Sequence, residues 1–224
     1  MKTRGLSSSI EILIKGGAVL VTDKSLFHYG RIYHLILDPL LKESWYQIVN
    51  LVPENSKVFE AGCGTGRLSL LLGERKNCQV VGADLSRKMI DFAKKSNPYD
   101  NVVFLHMDVG DITGYDKNSF DYSVMCLMIH ELPSEKQIKV VNELMRIARK
   151  AIILDSNIPL PKNATGLVIR MLDATFGRDH YDNFKSYIAS GGIIKILETA
   201  GLASKITQRF VFKSNCQQIV VLAS

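Results

Sequence analysis

From Lys57 onward the chain alternates between two hydrophobic patterns. Short apolar runs with no polar alternation fit strands covered on both faces: Val58-Phe59 before Glu60, Val80-Val81 before Asp84, Val102 to Leu105, Val124-Met125 before Cys126, and Ala151 to Leu154. Between them, apolar residues recur every three or four positions, as on a helix lying against a sheet. Leu68, Leu71 and Leu72 make one such face, ending near Gly73. Met89, Ile90 and Ala93 make the next, with Ser86 placed to cap it. Ile138, Val141, Leu144, Met145 and Ala148 make a third, and Ser134-Glu-Lys-Gln137 ahead of it has the form of a capping box. A further helix begins near Ile193 and closes at Gly201. Two last strands follow, Ile206 to Phe212 and Gln217 to Leu222, and the connection Lys213 to Cys216 is short enough for a hairpin. Strands alternating with helices predict an α/β fold, a doubly wound and mostly parallel sheet that ends in an antiparallel hairpin.

Two regions stand outside that alternation. In the first 50 residues, Ile10 to Val21 is apolar but short, and Glu11, Lys15 and two glycines interrupt it. It cannot span a bilayer core of roughly 30 Å, and no cleavable leader pattern is visible. Downstream, Phe27-His-Tyr-Gly-Arg-Ile-Tyr33 carries Tyr29 and Tyr33 four positions apart, which puts both on one side of a helix. The second region, 156–192, contains Met171, Phe176, His180, Tyr181, Phe184 and Tyr187. Doubly wound folds place ligand specificity in loops and insertions at the carboxyl ends of strands, so both regions are expected to cover a substrate. Tyr29, Tyr33, His180 and Tyr181 are its candidate wall, although aromatic residues of this kind also fill small satellite cores. The organisation expected is one domain over 1–224: a helical cover (1–50), a ligand-binding core (51–155), an insertion (156–192), and a helix with hairpin (193–224).

The chemistry concentrates at strand ends. Lys57-Val-Phe-Glu60-Ala-Gly62-Cys63-Gly64-Thr-Gly66-Arg67 joins an apolar strand to three alternating glycines. Glycine there lets the backbone turn sharply and press against a flat ligand that a Cβ would obstruct. The dinucleotide fingerprint G-x-G-x-x-G would need glycine at position 67, where Arg67 stands, and this disfavours an NAD-dependent oxidoreductase. Asp84 ends the second strand 24 residues after Glu60, a position from which an acid accepts hydrogen bonds from a ribose diol. Asp108 ends the third strand after a further 24 residues. Strand-end acids also cap helices or stay solvated, but two of them keep step with the glycine loop here.

Glu60-x-Gly62-x-Gly64-x-Gly66, Asp84, Asp108 and the stretch Ser119 to Leu132 resemble, in order and spacing, four motifs of the class I S-adenosylmethionine (SAM) dependent methyltransferases. Over most of residues 25–160 the resemblance is to the type-11 and ubiquinone/menaquinone-biosynthesis members. It implies a Rossmann-like seven-stranded sheet ordered 3-2-1-4-5-7-6 and an aromatic N-terminal stretch folding over the cofactor. SAM would be the cofactor and S-adenosylhomocysteine (SAH) the product. Carried over residue by residue, it assigns Gly62, Cys63, Gly64 and Gly66 to the cofactor loop, Asp84 to the ribose, with Leu85 and Met89 beside it, Asp108 and Val109 to the adenine, and Cys126 to the methyl-transfer face. Glu60 either supports the glycine loop through backbone N–H groups or contacts the cofactor's amino group, and the sequence leaves both open. The region 156–192, with Asp179-His-Tyr-Asp-Asn-Phe-Lys185 and Gly191-Gly192, departs from the family and leaves a quinone acceptor unassigned.

Methyl transfer from a sulfonium needs a base only when the acceptor must lose a proton. His130 and Glu131, just past the fourth strand, are the candidate bases, and a histidine merely hydrogen-bonded in the turn is the plainer reading of His130. His-Glu-x-x-His zinc binding fails because Ser134 occupies the second histidine position, and no other spacing predicts a metal ligand set. The chain has 28 basic and 22 acidic residues, a net charge of +6, without a Lys/Arg tail, so no nucleic-acid partner is expected. The Asn/Asp-Pro-Pro-aromatic and Pro-Cys signatures of nucleic-acid methylation are absent. Cys63, Cys78, Cys126 and Cys216 form no C-x-x-C pair, which fits a reduced, cytoplasmic protein. The function expected is methylation of a small or amphipathic metabolite, and the competing one is a SAM-binding regulator or assembly factor without turnover. The methyl acceptor and the oligomeric state are not legible in the sequence.

Overall fold

The computed structural model describes residues 9–14, 17–22, 38–163, 166–167, 169–170, 177–213 and 215–224. Two strands come first, β1 (Ser9–Ile14) and β2 (Gly17–Thr22), paired antiparallel with Ile12 opposite Val19. The expected helical cover over 1–50 is therefore partly a β-hairpin. The Tyr29 and Tyr33 stretch lies outside the described residues. Helix α1 (Asp38–Leu51) follows. It is a core helix rather than a lid, because Trp45, Ile48 and Val49 bury themselves with the aliphatic side chains of the main sheet.

The main sheet contains β3 (Lys57–Ala61), β4 (Gln79–Asp84), β5 (Val102–His106), β6 (Phe120–Cys126), β7 (Ala148–Ser156), β8 (Ile206–Phe212) and β9 (Gln217–Ala223). Its order is β5-β4-β3-β6-β7-β9-β8. Counted from β3, this is the 3-2-1-4-5-7-6 order implied by the family resemblance. The first five strands run parallel, and β9 pairs antiparallel with both β7 and β8. The connecting helices are α2 (Arg67–Lys76), α3 (Arg87–Ser96), α4 (Ser134–Ile147), α5 (Arg178–Ser190) and α6 (Gly192–Thr199).

The sheet is covered on both faces, which explains its unbroken apolar runs. Val58, Val80, Val124, Ile152 and Leu154 point into one core with α1, α2 and α3. Phe59, Ala61, Met125, Ala151 and Ile153 point into the other with α4, α5 and α6. Adjacent residues on one strand serve opposite cores, as the two-residue repeat of a strand requires.

Several boundaries differ from the sequence reading. Helix α2 runs past Gly73 to Lys76 and closes at Asn77 in the left-handed region, with φ 49°. The expected capping box does not form. Pro133 takes the cap position, Ser134 is already helical, and the Gln137 amide instead donates to the carbonyls of Ile129 and Leu132. Finally, β7 begins at Ala148, which was read as helical, because that residue already pairs with Phe120 of β6.

Candidate active site at the carboxyl ends of the parallel strands

The glycine loop leaves β3 and turns into α2. Gly62, Gly64 and Gly66 all have positive φ, at 69°, 52° and 80°, a conformation that side-chain-bearing residues rarely adopt. Their surroundings separate them. A Cβ on Gly62 would lie 2.6 Å from Met128, and one on Gly66 would lie 2.4 Å from Phe104, so both are glycine for internal packing. A Cβ on Gly64 would meet no atom within 4 Å. It would project into a cavity of about 570 Å³, a size suited to a nucleoside-containing ligand.

Asp84 ties the loop in place. One carboxylate oxygen accepts from the Gly64 N–H at 2.8 Å, and the other accepts from the Ser86 N–H at 2.8 Å. Burial pushes its pKa up, and these two N–H donors with nearby His106 draw it back. A carboxylate offers roughly four acceptor positions, so a bound diol can still be received. Ser86 in turn caps α3 by accepting from the Met89 N–H.

Asp108 also borders the cavity. It accepts from the Gly110 N–H at 2.8 Å and faces Lys136 at 3.7 Å. Both side chains of that ion pair are about half-exposed, at 50% and 46%, which keeps its contribution to roughly 0–1 kcal/mol.

Of the residues expected at the cofactor, Gly62, Gly64, Asp84, Leu85, Met89, Asp108, Val109 and Cys126 line one cavity. Glu60, Cys63 and Gly66 do not line it. Glu60 is buried, and the Ser69 hydroxyl and backbone N–H donate to it, so it binds the first turn of α2. Burial raises its pKa to about 8, against the lowering effect of Ser69. The contact it makes here is with Ser69 of α2. Cys63 is buried, and burial with the nearby carboxyl groups of Glu60 and Asp84 holds its thiol well above the usual range. Burial with the carboxyl groups of Glu60 and Asp155 raises the Cys126 thiol too, so both cysteines are held in the thiol form rather than as thiolates.

The sequence reading missed Arg87, Lys88, Met128, Leu132, Lys136 and Val140 on the cavity wall. Arg87 and Lys88 open α3 directly after the strand that ends in Asp84, so their position was available from that strand end. Lys136 and Val140 come from α4, whose approach to the cavity is a tertiary fact without a local signal.

The two candidate bases separate. Glu131 lines the cavity, whereas His130 is buried off its wall in the 3₁₀ turn Ile129–Glu131. His130 Nδ1 lies 2.7 Å from Asp155 Oδ1 at the end of β7. Its ring packs edge-on against His180 and Phe184 of α5, with centroids 5.7 and 5.3 Å away. His180 thus belongs beside His130 rather than on the cavity wall. Tyr181, on the same helix, lies off the cavity, and the Lys185 ammonium sits over its ring at 4.8 Å. Phe184 and Tyr187 are buried in the core of the α4–α6 face. The sequence spacing predicted no metal ligand set, but the fold brings His130, Glu131 and His180 together with donor atoms within 4.8 Å of one another.

Residues 58–151 match the family described as "Methyltransferase domain". Geranyl diphosphate 2-C-methyltransferase of Saccharopolyspora erythraea is 36% identical over 92 residues, covering 37% of this chain and 32% of that protein. Demethylmenaquinone methyltransferase of Staphylococcus epidermidis is 25% identical over 134 residues, covering 57% of this chain and 55% of that protein. The chain thus spans about half the length, or less, of the curated relatives it matches. Among solved structures, magnesium protoporphyrin IX methyltransferase from Synechocystis, with SAH bound, shares the fold with a TM-score of 0.58 at 21% identity. That match covers 82% of this chain and 83% of the other. Residues 58–151 are thus similar to a methyltransferase domain, and the seven-stranded sheet has the fold of a solved methyltransferase.

Proposed function

We propose that the chain transfers a methyl group from SAM to a small or amphipathic metabolite. The observation that carries this reading is the Asp84 carboxylate, held by the Gly64 and Ser86 N–H groups at the edge of a 570 Å³ cavity. The cofactor supplies an electrophilic methyl on a sulfonium, with a neutral thioether as leaving group. Asp84 would take the ribose diol, the open face of Gly64 would meet the cofactor backbone, and Asp108 with Val109 would border the adenine. Met128, Leu132 and Val140 would form apolar wall for the acceptor and exclude water. Glu131 would receive a proton when the acceptor carries one to lose. The relatives named for geranyl diphosphate, demethylmenaquinone and magnesium protoporphyrin support an acceptor of metabolite size. The four free cysteines suit a reducing, cytoplasmic setting, and among the described residues no helix is long and apolar enough to cross a membrane.

The test incubates the chain with methyl-labelled SAM and a metabolite extract, with an RNA fraction in parallel. Label should appear in a small organic product and not in RNA. SAH binding without transfer to any fraction would leave a cofactor-binding protein without turnover.

A further inference from the structure

We infer that His130, Glu131 and His180 form a site for one divalent transition-metal ion of the zinc class beside the cofactor cavity. One donor atom from each of the three lies within 4.8 Å of the others. Zinc bonds of roughly 2.0–2.2 Å require donors about 3.3–3.6 Å apart in a tetrahedral arrangement, so the donors would have to close by up to about 1.5 Å through side-chain rotation. Two imidazoles and one carboxylate suit Zn²⁺ and its neighbours rather than Mg²⁺ or Ca²⁺, which prefer all-oxygen shells.

The surroundings of His130 supply an independent observation. Asp155 is fully buried and takes the His130 Nδ1–H at 2.7 Å, which fixes the tautomer and makes Nε2 the ring atom that would coordinate an ion. Asp155 Oδ1 also accepts from the Ser156 N–H at 2.6 Å, and Asp155 Oδ2 has no hydrogen-bond partner among the described residues. A carboxylate buried this deeply needs compensating positive charge. A metal ion on the far side of the imidazole would supply it in place of a proton on His130. The ion's two charges equal those of Glu131 and Asp155 together, and metal binding strengthens the Nδ1–H donor. Phe184 and Tyr187 pack on the His130 ring, with centroids 5.3 and 6.1 Å away, and form the apolar shell that keeps such a site dry.

Three protein ligands leave a coordination position open. Glu131 belongs to both the cluster and the cavity wall, so that position lies near the proposed acceptor volume. An acceptor hydroxyl bound there would release its proton to bulk water more readily, in place of transfer to the metal-bound Glu131, and its oxygen would bond to the methyl carbon as the carbon–sulfur bond breaks and SAH leaves. The metal site stands without the methyl-transfer reading; this use of it rests on that reading.

The test strips the full chain with a chelator and titrates it with Co²⁺, followed by visible d–d absorption, then with Zn²⁺ by calorimetry. The expected result is a band saturating at one cobalt per chain and displaced by Zn²⁺. His180→Gln and Glu131→Gln should abolish the band. Asp155→Asn should weaken Zn²⁺ affinity on the order of tenfold to a hundredfold. SAH affinity of the His180→Gln chain should stay at the parent value, which shows that the fold survives. No saturable band, a band unchanged by His180→Gln, or thiolate-to-cobalt charge transfer from the free cysteines would overturn the inference. One cobalt per chain with no SAH binding by the parent would instead uphold the metal site and defeat the methyltransferase reading.

Discussion

Asp84 holds the two loops that make the proposed cofactor site, because its carboxylate takes one N–H from each. Removing it would cost the hydrogen bonds to the ligand and also loosen Gly64. Asp84→Ala should weaken SAH binding on the order of tenfold to a hundredfold, matching roughly 1.5–3 kcal/mol for hydrogen bonds to a charged group. Calorimetry on the folded variant checks this, and unchanged affinity would remove Asp84 from the ribose. Gly64→Val should abolish SAH binding, since the new side chain enters the cavity, and its positive φ should also cost the fold about 1–3 kcal/mol, which urea unfolding of the variant measures separately. Glu60 shows what spacing cannot tell. Its place at a strand end was legible, but whether its carboxyl met Ser69 or the ligand depended on the path of α2. Its pKa of about 8 sets a pH dependence. Between 4.5, its ordinary value, and about 8, the unfolded chain has lost this proton while the folded chain retains it, so stability falls as pH rises. The slope from this group is at most about 1.4 kcal/mol per pH unit. Glu60→Gln should remove that fall, and urea unfolding of the variant and parent at pH 6 and 9 should show the variant gaining relative stability at the higher pH.

Elements were legible where periodicity was strong and the neighbours were local. Strand β8 is found at the bounds read from the sequence, and β9 extends only one residue further, to Ala223. The β1–β2 pairing has a sequence signal that the apolar run alone hides, since Lys15-Gly16-Gly17 stands as a turn signal between two short apolar runs. The meeting of His180 with His130 had no signal of any kind, since fifty positions separate them and α5 carries them together only through packing. That packing gives a contrast within one helix. Phe184 is 1% exposed and lies on the His130 ring, whereas Tyr181 is partly exposed beneath Lys185. Phe184→Ala should cost about 3–5 kcal/mol, and Tyr181→Ala no more than about 0.5 kcal/mol. Urea midpoints would decide, and equal losses would mean that both rings complete the core.

At the scale of the whole molecule, the cavity exists only where the sheet is complete. Its walls come from the loops after β3, β4, β5 and β6 and from the first turns of α3 and α4, drawn from residues 62–140. Strands β3 and β6 are neighbours in the sheet, and β4 lies on the other side of β3, so the chain reverses its order there and opens a crevice at the carboxyl ends. The alternation of strands and helices announced such a sheet. Its strand order came only from the family resemblance, because hydrophobic pattern contains no record of which strands pair. A site assembled from four strand ends has no counterpart in the unfolded chain, so ligand binding must raise the stability of the whole fold. SAH at a hundred times its dissociation constant should add about 2.7 kcal/mol. For a chain of this size that corresponds to a rise in melting midpoint of roughly 5–11 °C. At the same SAH concentration the Asp84→Ala chain, with its affinity lowered tenfold to a hundredfold, should gain only about 0.4–1.4 kcal/mol, a rise of roughly 1–6 °C. Thermal scans of both chains measure the difference. If calorimetry shows binding yet the parent midpoint does not move, the ligand is held by a fragment that outlasts the sheet, and the crevice between β3, β4 and β6 is not where it binds.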